Sequence, residues 1–209
     1  MAFTFFFRDL DAIGLIPDYV LSNIPEKKTI KIWDAGCANG SEIYTILIYL
    51  KETVSEEQFK KIKIVASDID NSNIFKKTIE EGTYKKNQIS SVPPDILKKY
   101  FTQDTENPDI YIILENLREK VYYQKHDLLS LNAIGHDFDL IICKHVLQHF
   151  NNKEQVDVIK MFYKSLTDES FLLCESSQEF PEYLNSHFTR ILPERNLYRK
   201  ISSVNKKRV

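Results

Sequence analysis

Three acidic residues that follow short apolar runs could bind a polar ligand: Asp34, Asp68 and Asp127. Asp34 precedes a loop with two glycines, Gly36 and Gly40, which leads into a helical pattern. Glycine adopts positive φ and has no Cβ, so a ligand can lie against the main chain of such a loop. Asp68 can accept hydrogen bonds from both hydroxyls of a ribose, and Asp127 is placed to hold an adenine amino group. These residues predict a nucleoside site.

The glycine loop lacks the features that bind phosphate. Neither Gly-x-Gly-x-x-Gly nor Gly-Lys-Ser/Thr occurs in it. A carboxylate beside the loop, Asp34 or Glu42, favours a ligand with an ammonium or sulfonium group over one with a pyrophosphate. S-adenosylmethionine has adenine, a free ribose, a sulfonium and an amino-acid group without phosphate, and is the expected ligand. The alternative is that each acid only caps a helix.

The elements that position these acids follow from alternating hydrophobic periods. Helices are predicted at about 10–25, 41–51, 72–81, 94–101 and 153–166, and strands at 30–34, 62–68, 139–143, 171–175 and 195–201. The runs 109–114 and 120–123 are interpreted as an antiparallel pair within an inserted β-subdomain at about 84–124. We therefore expect one α/β domain, residues 1–209, with a doubly wound, mostly parallel sheet and its ligand at the carboxyl ends of the strands.

The composition excludes several classes of protein. The net charge of -2 argues against a nucleic-acid coat or a membrane-surface protein. No run reaches the roughly 18 apolar residues that a membrane span needs, and Arg8 and Asp9 interrupt the apolar N-terminus too early for a signal peptide. Three scattered cysteines indicate reduced thiols. We expect a cytoplasmic location, no nucleic-acid partner and no membrane insertion.

The chain resembles the catalytic part of the chemotaxis-receptor methyltransferases, the CheR family, over about residues 3–180. The motifs that carry the resemblance stand in the family's order: Thr4-Phe5-Phe6-Phe7-Arg8-Asp9, the segment 33–45, Ala66-Ser67-Asp68-Ile69-Asp70 and His126-Asp127-Leu128-Leu129. The resemblance implies a Rossmann-like class I methyltransferase fold, with S-adenosylmethionine as cofactor and S-adenosylhomocysteine as product. It also implies transfer of the methyl group to protein glutamate. The implied cofactor contacts are Thr4, Arg8, Glu42, Asp68, Asp127 and Leu128, with Gly36 and Gly40 in the loop.

The chain departs from the family's Arg-Asn-Val-x-x-Tyr motif at residues 144–149. Lys144 replaces the arginine and keeps the charge without the bidentate fork. His149 replaces the tyrosine expected beside the methyl path. For a carboxylate acceptor, we expect Arg8 and Lys144 to orient the acid and His149 to donate a hydrogen bond. Residues 177–180, Ser-Gln-Glu-Phe, also differ from the family's Ser-Glu-Asn-Phe.

Three hypotheses for the function follow. The first is a CheR-type methyltransferase acting on protein carboxylates. The second is a methyltransferase of the same fold acting on a small molecule or another nucleophile, with His149, whose unperturbed pKa is about 6.5, as base. The third is a non-catalytic module that binds S-adenosylmethionine. The identity of the methyl acceptor and the oligomeric state are left open.

The five histidines suggest no metal site. His145 and His149 would share a face if they stood on a helix, but the sequence offers no third ligand near them. We therefore expect no metal. His145 itself is expected to be a packed or solvated residue.

Overall fold

The computed structural model describes residues 4–24, 26, 28–174 and 185–202. Residues 177–180, which differ from the Ser-Glu-Asn-Phe of the CheR family, lie outside the described residues. The strands are β1 (Ile30–Ala35), β2 (Ile62–Asp68), β3 (Thr83–Lys85), β4 (Phe101–Gln103), β5 (Ile110–Ile113), β6 (Val121–Lys125), β7 (Phe138–Cys143), β8 (Leu166–Cys174), β9 (Phe188–Leu192) and β10 (Arg195–Lys200). The α-helices are α1 (Leu10–Ile13), α2 (Ser41–Thr53), α3 (Glu56–Lys61), α4 (Phe75–Glu81), α5 (Pro94–Tyr100), α6 (Glu115–Arg118) and α7 (Asn152–Ser165). Among the described residues there are also a π-helix, Ile16–Leu21, and 3₁₀ turns at Lys86–Ile89, Leu128–Ser130 and Leu147–His149.

The main sheet has seven strands in the order β6-β2-β1-β7-β8-β10-β9. The first five of these strands pair in parallel, and β10 and β9 add an antiparallel edge. A separate antiparallel sheet has the order β3-β5-β4. The predicted α/β class, with a mostly parallel sheet and a small antiparallel one, is confirmed.

The predicted pairing of the run 120–123 is wrong. This run forms β6, which pairs in parallel with β2 and places Tyr123 opposite Ala66 at the edge of the main sheet. Of the two runs, only 109–114 contributes a strand to the small sheet. A short apolar run carries no local signal for its partner strand, and the turn of helix between the two runs, α6, takes the chain away from β5.

The predicted helix at 10–25 is interrupted. It consists of α1, four residues long, and the π-helix Ile16–Leu21. Gly14 lies between the two pieces, and Pro17 occupies the first turn of the π-helix, where its ring removes a backbone donor. Sequence patterns also missed α3 and β9 and the short strands β3 and β4.

Two hydrophobic clusters cover the two faces of the main sheet. Ile32 belongs to the first cluster and Trp33 to the second, as expected for neighbouring residues of a strand. The first cluster also contains Tyr84 and Ile113 of the small sheet, and the second includes Phe162 of α7. The small sheet therefore packs against the same core as the main one. Among the helices formed by the described residues, none combines the length and apolarity needed to span a membrane.

Candidate functional site

Three acids meet at one edge of the main sheet. Asp34 is the second-to-last residue of β1, Asp68 ends β2, and Asp127 follows β6 by two residues. Because β6, β2 and β1 are neighbouring parallel strands, their carboxyl ends lie side by side. The topology thus brings together the acids that the sequence singled out, at the edge where open α/β sheets bind ligands.

Both loop glycines adopt left-handed conformations, with φ +99° at Gly36 and φ +87° at Gly40. A Cβ on Gly36 would lie 2.2 Å from Val146 Cγ2, and one on Gly40 would lie 2.7 Å from Ile79 Cγ1. Side chains from the rest of the fold, rather than open space, fill the positions of both missing Cβ atoms. The glycines are therefore required for the loop to pack closely, whatever ligand it holds.

A cavity of about 530 Å³ opens beside this loop. Its size lies within the range of small-molecule sites. The residues that line it are Thr4, Phe5, Arg8, Gly36, Cys37, Ala38, Glu42, Asp68, Ile69, Lys144, His145, Val146, Gln148 and His149. Among the predicted site residues, those that line the cavity are Thr4, Arg8, Gly36, Glu42, Asp68, Lys144 and His149.

The other four predicted site residues do not line the cavity. Gly40 faces Ile79 and Tyr84. Asp127 is the N-cap of a 3₁₀ turn, where its Oδ1 accepts from the Leu129 amide at 2.9 Å. Leu128 is buried in the second hydrophobic cluster. The fourth residue, Asp34, is buried.

Asp34 is a buried acid, 1% exposed, and its Oδ2 finds no hydrogen-bond partner among the described residues. Burial raises the pKa of this carboxyl well above its usual value, and the negative charge of Glu42 raises it further. The ammonium of Lys144 acts on the pKa of Asp34 in the opposite direction without cancelling the rise. Burial therefore favours the neutral, protonated form of Asp34.

Asp68 joins the end of β2 to the glycine loop. Its Oδ2 accepts from the Ala38 amide and its Oδ1 from the Asp70 amide, each at 3.0 Å. An ionised carboxylate has about four acceptor sites, so these two bonds leave capacity for the hydroxyls of a ligand in the cavity. The same residue can thus shape the loop and contact a ribose.

Lys144 is the centre of a charged cluster. Its ammonium lies 2.7 Å from Glu42 Oε1 and 3.1 Å from Asp9 Oδ2, and its side chain is 3% exposed. Burial lowers the pKa of Lys144, but the two carboxylates more than offset this and leave the pKa above its ordinary value. The ammonium of Lys144 is therefore charged and held by two carboxylates. That Lys144 orients an acidic acceptor stays a prediction.

Sequence reasoning missed two members of this cluster. His145, expected to be packed or solvated, lines the cavity, and its Nε2 lies 2.8 Å from Asp9 Oδ2. Asp9 also lies 3.6 Å from the Nε of Arg8. Burial acts to raise the pKa of Asp9, but hydrogen bonds from His145 and Lys144 outweigh it and hold that pKa below its usual value. Its position directly after Arg8 in the N-terminal motif was the available signal.

Residues 145–149 do not form one helix. His145 has φ +59°, and only Leu147–His149 form a 3₁₀ turn. His145 and His149 therefore do not share a helix face, although both border the cavity.

The N-terminal segment Thr4–Asp9 closes one side of the cavity. The Phe7 amide donates to Thr45 Oγ1 of α2 at 3.0 Å, and Ser91 Oγ donates to the Phe6 carbonyl at 2.7 Å. Phe7 and Asp9 have positive φ, at 61° and 54°, so the segment turns sharply twice. These turns direct the side chains of Thr4, Phe5 and Arg8 to the cavity. The cavity is therefore lined by two cations, Arg8 and Lys144, and by the acidic residues Glu42 and Asp68, which suits a ligand that carries both charges.

Comparison with known proteins identifies a matching family. A family profile described as "CheR methyltransferase, SAM binding domain" matches residues 2–194. The chemotaxis protein methyltransferase of Borreliella burgdorferi is 31% identical over 183 residues, which cover 84% of this chain and 63% of the relative. Chemotaxis protein methyltransferase 2 of Vibrio cholerae is 26% identical, over 84% of this chain and 61% of the relative. The chain spans about three-fifths of the length of these curated relatives.

Solved structures resemble the fold at much lower identity. The rRNA methyltransferase aviRa from Streptomyces viridochromogenes superposes with a TM-score of 0.57 at 11% identity. The superposition covers 95% of this chain and 86% of that one. At this identity the likeness concerns the fold alone, which is that of the class I methyltransferases.

Proposed function

Because the chain belongs to the CheR methyltransferase family, we propose that it transfers a methyl group from S-adenosylmethionine to a carboxylate of a protein, a glutamate side chain in the first instance. The observation that carries the proposal is the joint lining of one cavity by Thr4, Arg8, Glu42 and Asp68. These residues come from three distant parts of the chain, and in the sequence each belongs to a motif of the family. The relatives' name, chemotaxis protein methyltransferase, supports a protein acceptor.

The cavity fits S-adenosylmethionine, the cofactor of this family of domains. In our proposal Asp68 accepts from the ribose hydroxyls, Arg8 and Thr4 contact the amino-acid end, and Glu42 accepts from its ammonium. Asp127 and Leu128 follow β6, the strand beside β2, and border the adenine of a ligand that extends past Asp68. The neutral Asp34, with its unpartnered Oδ2, adds a buried polar group below this end without adding a second negative charge.

In our proposal, most of the acceleration of methyl transfer comes from residues of the chain that align the acceptor with the methyl group. When bound, S-adenosylmethionine supplies a methyl group on a sulfonium sulfur, and this sulfur leaves as the thioether of S-adenosylhomocysteine when a nucleophile attacks the methyl group in line. A carboxylate is already ionised at neutral pH, so the chain needs to orient it rather than deprotonate it. Arg8 is the cation that we assign to this orientation. His149, exposed at the cavity, is placed to donate a hydrogen bond to the acceptor.

A second candidate function rests on His149. Its side chain borders the cavity beside Gln148, and both residues are exposed. In this alternative the acceptor is an amine, a hydroxyl or a ring nitrogen, and His149 removes its proton. A third candidate, a module that binds the cofactor without turnover, shares the same cavity.

We also propose that residues 1–209 act as one methyltransferase domain carrying the small sheet as an insertion. Residues of both sheets, such as Ile32 and Tyr84, belong to one hydrophobic cluster, which supports a single domain.

Transfer of a radiolabelled methyl group separates these candidates. The protein is incubated with S-adenosylmethionine labelled in the methyl group and a cell extract, and the labelled protein is treated with alkali. Methyl esters release methanol in alkali, so the proposal predicts a label that becomes volatile, whereas an alkali-stable label contradicts a carboxylate acceptor. No label despite binding of S-adenosylhomocysteine contradicts an enzyme and favours the binding module.

The variant His149→Gln tests the second candidate in the same assay. Glutamine can donate a hydrogen bond but cannot take up a proton near neutral pH. For a carboxylate acceptor we expect most of the activity to remain. If His149 is the base, activity falls by about 100-fold or more, which would contradict our first assignment.

A further inference from the structure

Tyr84 links the small sheet to the glycine loop. It lies in β3, opposite Tyr111 of β5, and its side chain enters the first hydrophobic cluster, where it is fully buried. The Tyr84 hydroxyl donates to the carbonyl of Asn39 at 2.8 Å. Asn39 stands between the two loop glycines, so a side chain of the inserted sheet forms part of the support of the loop.

Asn39 also contacts the first residue of α2 through its side chain. Asn39 Oδ1 accepts from both the amide and the hydroxyl of Ser41, at 3.1 and 2.8 Å. A Cβ on Gly40 would lie 3.0 Å from the Tyr84 hydroxyl oxygen. The Tyr84 hydroxyl thus lies close to the backbone of the loop at Gly40, and if Tyr84 moved away, the partly buried Asn39 carbonyl would lose this donor. Glu42, in the first turn of α2, follows directly.

A second contact joins the small sheet to the N-terminal segment that borders the cavity. The ring of Phe6 lies edge-on to that of Tyr84, with 4.9 Å between centroids, and 5.6 Å from that of Phe101 in β4. The neighbours of Phe6 in the chain, Phe5 and Arg8, border the cavity. One packed group of aromatic rings thus supports both the loop and the N-terminal segment.

We propose that Tyr84 is a positioning residue for the cofactor, through which the small sheet sets the conformation of the loop at Asn39. This inference rests on the assignment of the cavity to S-adenosylmethionine. Tyr84 does not border the cavity and acts through Asn39, Gly40 and the first turn of α2. Burial raises the pKa of Tyr84 well above its usual value, so the hydroxyl stays a donor at every pH used for assays.

The test compares Tyr84→Phe with Tyr44→Phe in the full chain. Tyr44 is also fully buried, its ring lies 6.1 Å from that of Tyr84, and its hydroxyl donates to a carbonyl, that of Ile79, at 2.5 Å. Both variants lose one buried phenol-to-carbonyl hydrogen bond, but only Tyr84→Phe loses a bond to the loop. We expect both to lower the Tm, and Tyr84→Phe alone to weaken binding of S-adenosylhomocysteine by about tenfold. Its KM for S-adenosylmethionine rises while kcat changes little.

Amide hydrogen exchange provides a second readout. We expect residues 39–41 to exchange faster in Tyr84→Phe than in Tyr44→Phe. Equal Kd values for the wild type and Tyr84→Phe, or equal weakening in the two variants, overturn the inference. Should Tyr84→Phe fail to fold while Tyr44→Phe folds, the hydroxyl is needed for the whole core and the positioning role is also overturned. A wild type that does not bind S-adenosylhomocysteine contradicts instead the assignment of the cavity.

Discussion

At the scale of single residues, the site combines acids of opposite character. The pKa of Asp9 is lowered by two hydrogen-bonded neighbours, which favour its ionised form, whereas burial and the charge of Glu42 raise the pKa of Asp34 and favour its neutral form. This difference keeps the number of negative charges around Lys144 small. Burial raises the pKa of the Cys37 thiol well above its usual value, so Cys37 remains a thiol.

The neutral state of Asp34 predicts a pH dependence of stability. Burial raises the pKa of Asp34 in the folded state above its ordinary value, which it has in the unfolded chain. Between these two pKa values the folded state binds more protons than the unfolded one, so the free energy of unfolding falls as the pH rises. The wild type loses about 1.4 kcal/mol of stability for each unit by which the folded pKa of Asp34 exceeds the unfolded one. Asp34→Asn does not titrate and has no such loss. Urea unfolding from pH 4 to 8 should therefore show Asp34→Asn gaining on the wild type as the pH rises. Asp109→Asn, at an exposed position, is the control, and a constant difference between Asp34→Asn and the wild type contradicts the neutral acid.

The carboxylate of Asp68 predicts an effect on cofactor affinity. In Asp68→Asn one oxygen becomes an amide nitrogen, which cannot accept from a ribose hydroxyl or from a loop amide. We expect the Kd for S-adenosylhomocysteine to rise roughly 10- to 100-fold, since hydrogen bonds to charged groups contribute about 1.5–3 kcal/mol. Calorimetry measures it, with Asp109→Asn as the matched control. An unchanged Kd would mean that the cofactor lies elsewhere.

At the scale of elements, the site is assembled by contacts between segments that are far apart in the chain. Lys144 follows β7 and bonds to Glu42 in α2 and to Asp9 before α1. Its neighbour His145 bonds to the same aspartate. The cluster therefore holds three elements together around the cavity. Tyr84 likewise joins the small sheet to the glycine loop through its hydrogen bond to Asn39.

Removing the charge of Lys144 should loosen all three elements. In Lys144→Met, two carboxylates lose their counter-charge, which for buried pairs costs about 3–5 kcal/mol. We expect the lower end of this range, because Asp9 is 36% exposed. Lys144→Arg keeps the charge and should recover part of the stability. Urea unfolding measures both, with Lys76→Met, at an exposed pair on α4, as the control. Equal stability of Lys144→Met and the wild type would mean that the cluster is not a clamp.

At the scale of the whole molecule, the two hydrophobic clusters share one sheet, and the small sheet contributes to the first. The single tryptophan, Trp33, lies in the second cluster, where it is fully buried and its Nε1 donates to Ser67 Oγ at 2.8 Å. Its fluorescence therefore reports on the core under α7, and far-UV circular dichroism on all helices and strands.

One cooperative domain predicts coincident unfolding transitions. Trp33 fluorescence and circular dichroism should give the same urea midpoint, because both faces of the sheet lose their packing together. S-adenosylhomocysteine should shift both midpoints equally, since it binds only the folded state. A circular dichroism transition that precedes the fluorescence change would show that part of the chain, such as the small sheet, unfolds separately, and would contradict the single domain.

The sequence by itself determined the features that depend on local patterns. Alternating periods predicted a mostly parallel sheet, which the structure has, and Gly36 and Gly40 marked a loop that requires positive φ. A residue that ends a parallel strand necessarily lies at the ligand-binding edge, so the location of Asp68 also followed. Local conformational preference is a property of a short segment, and such a segment can be recognised without knowledge of its partners.

Only the tertiary structure decided the contacts between distant segments. Lys144 bonds to Glu42, 102 residues away, and Tyr84 to Asn39, 45 residues away. The partner of the run that forms β6 was likewise not encoded in its own pattern. A buried ammonium or hydroxyl must find a partner, but which one it finds depends on the side chains that the whole fold brings within about 3 Å. The sequence could therefore place Lys144 at the site, but only the fold showed that two carboxylates hold its ammonium.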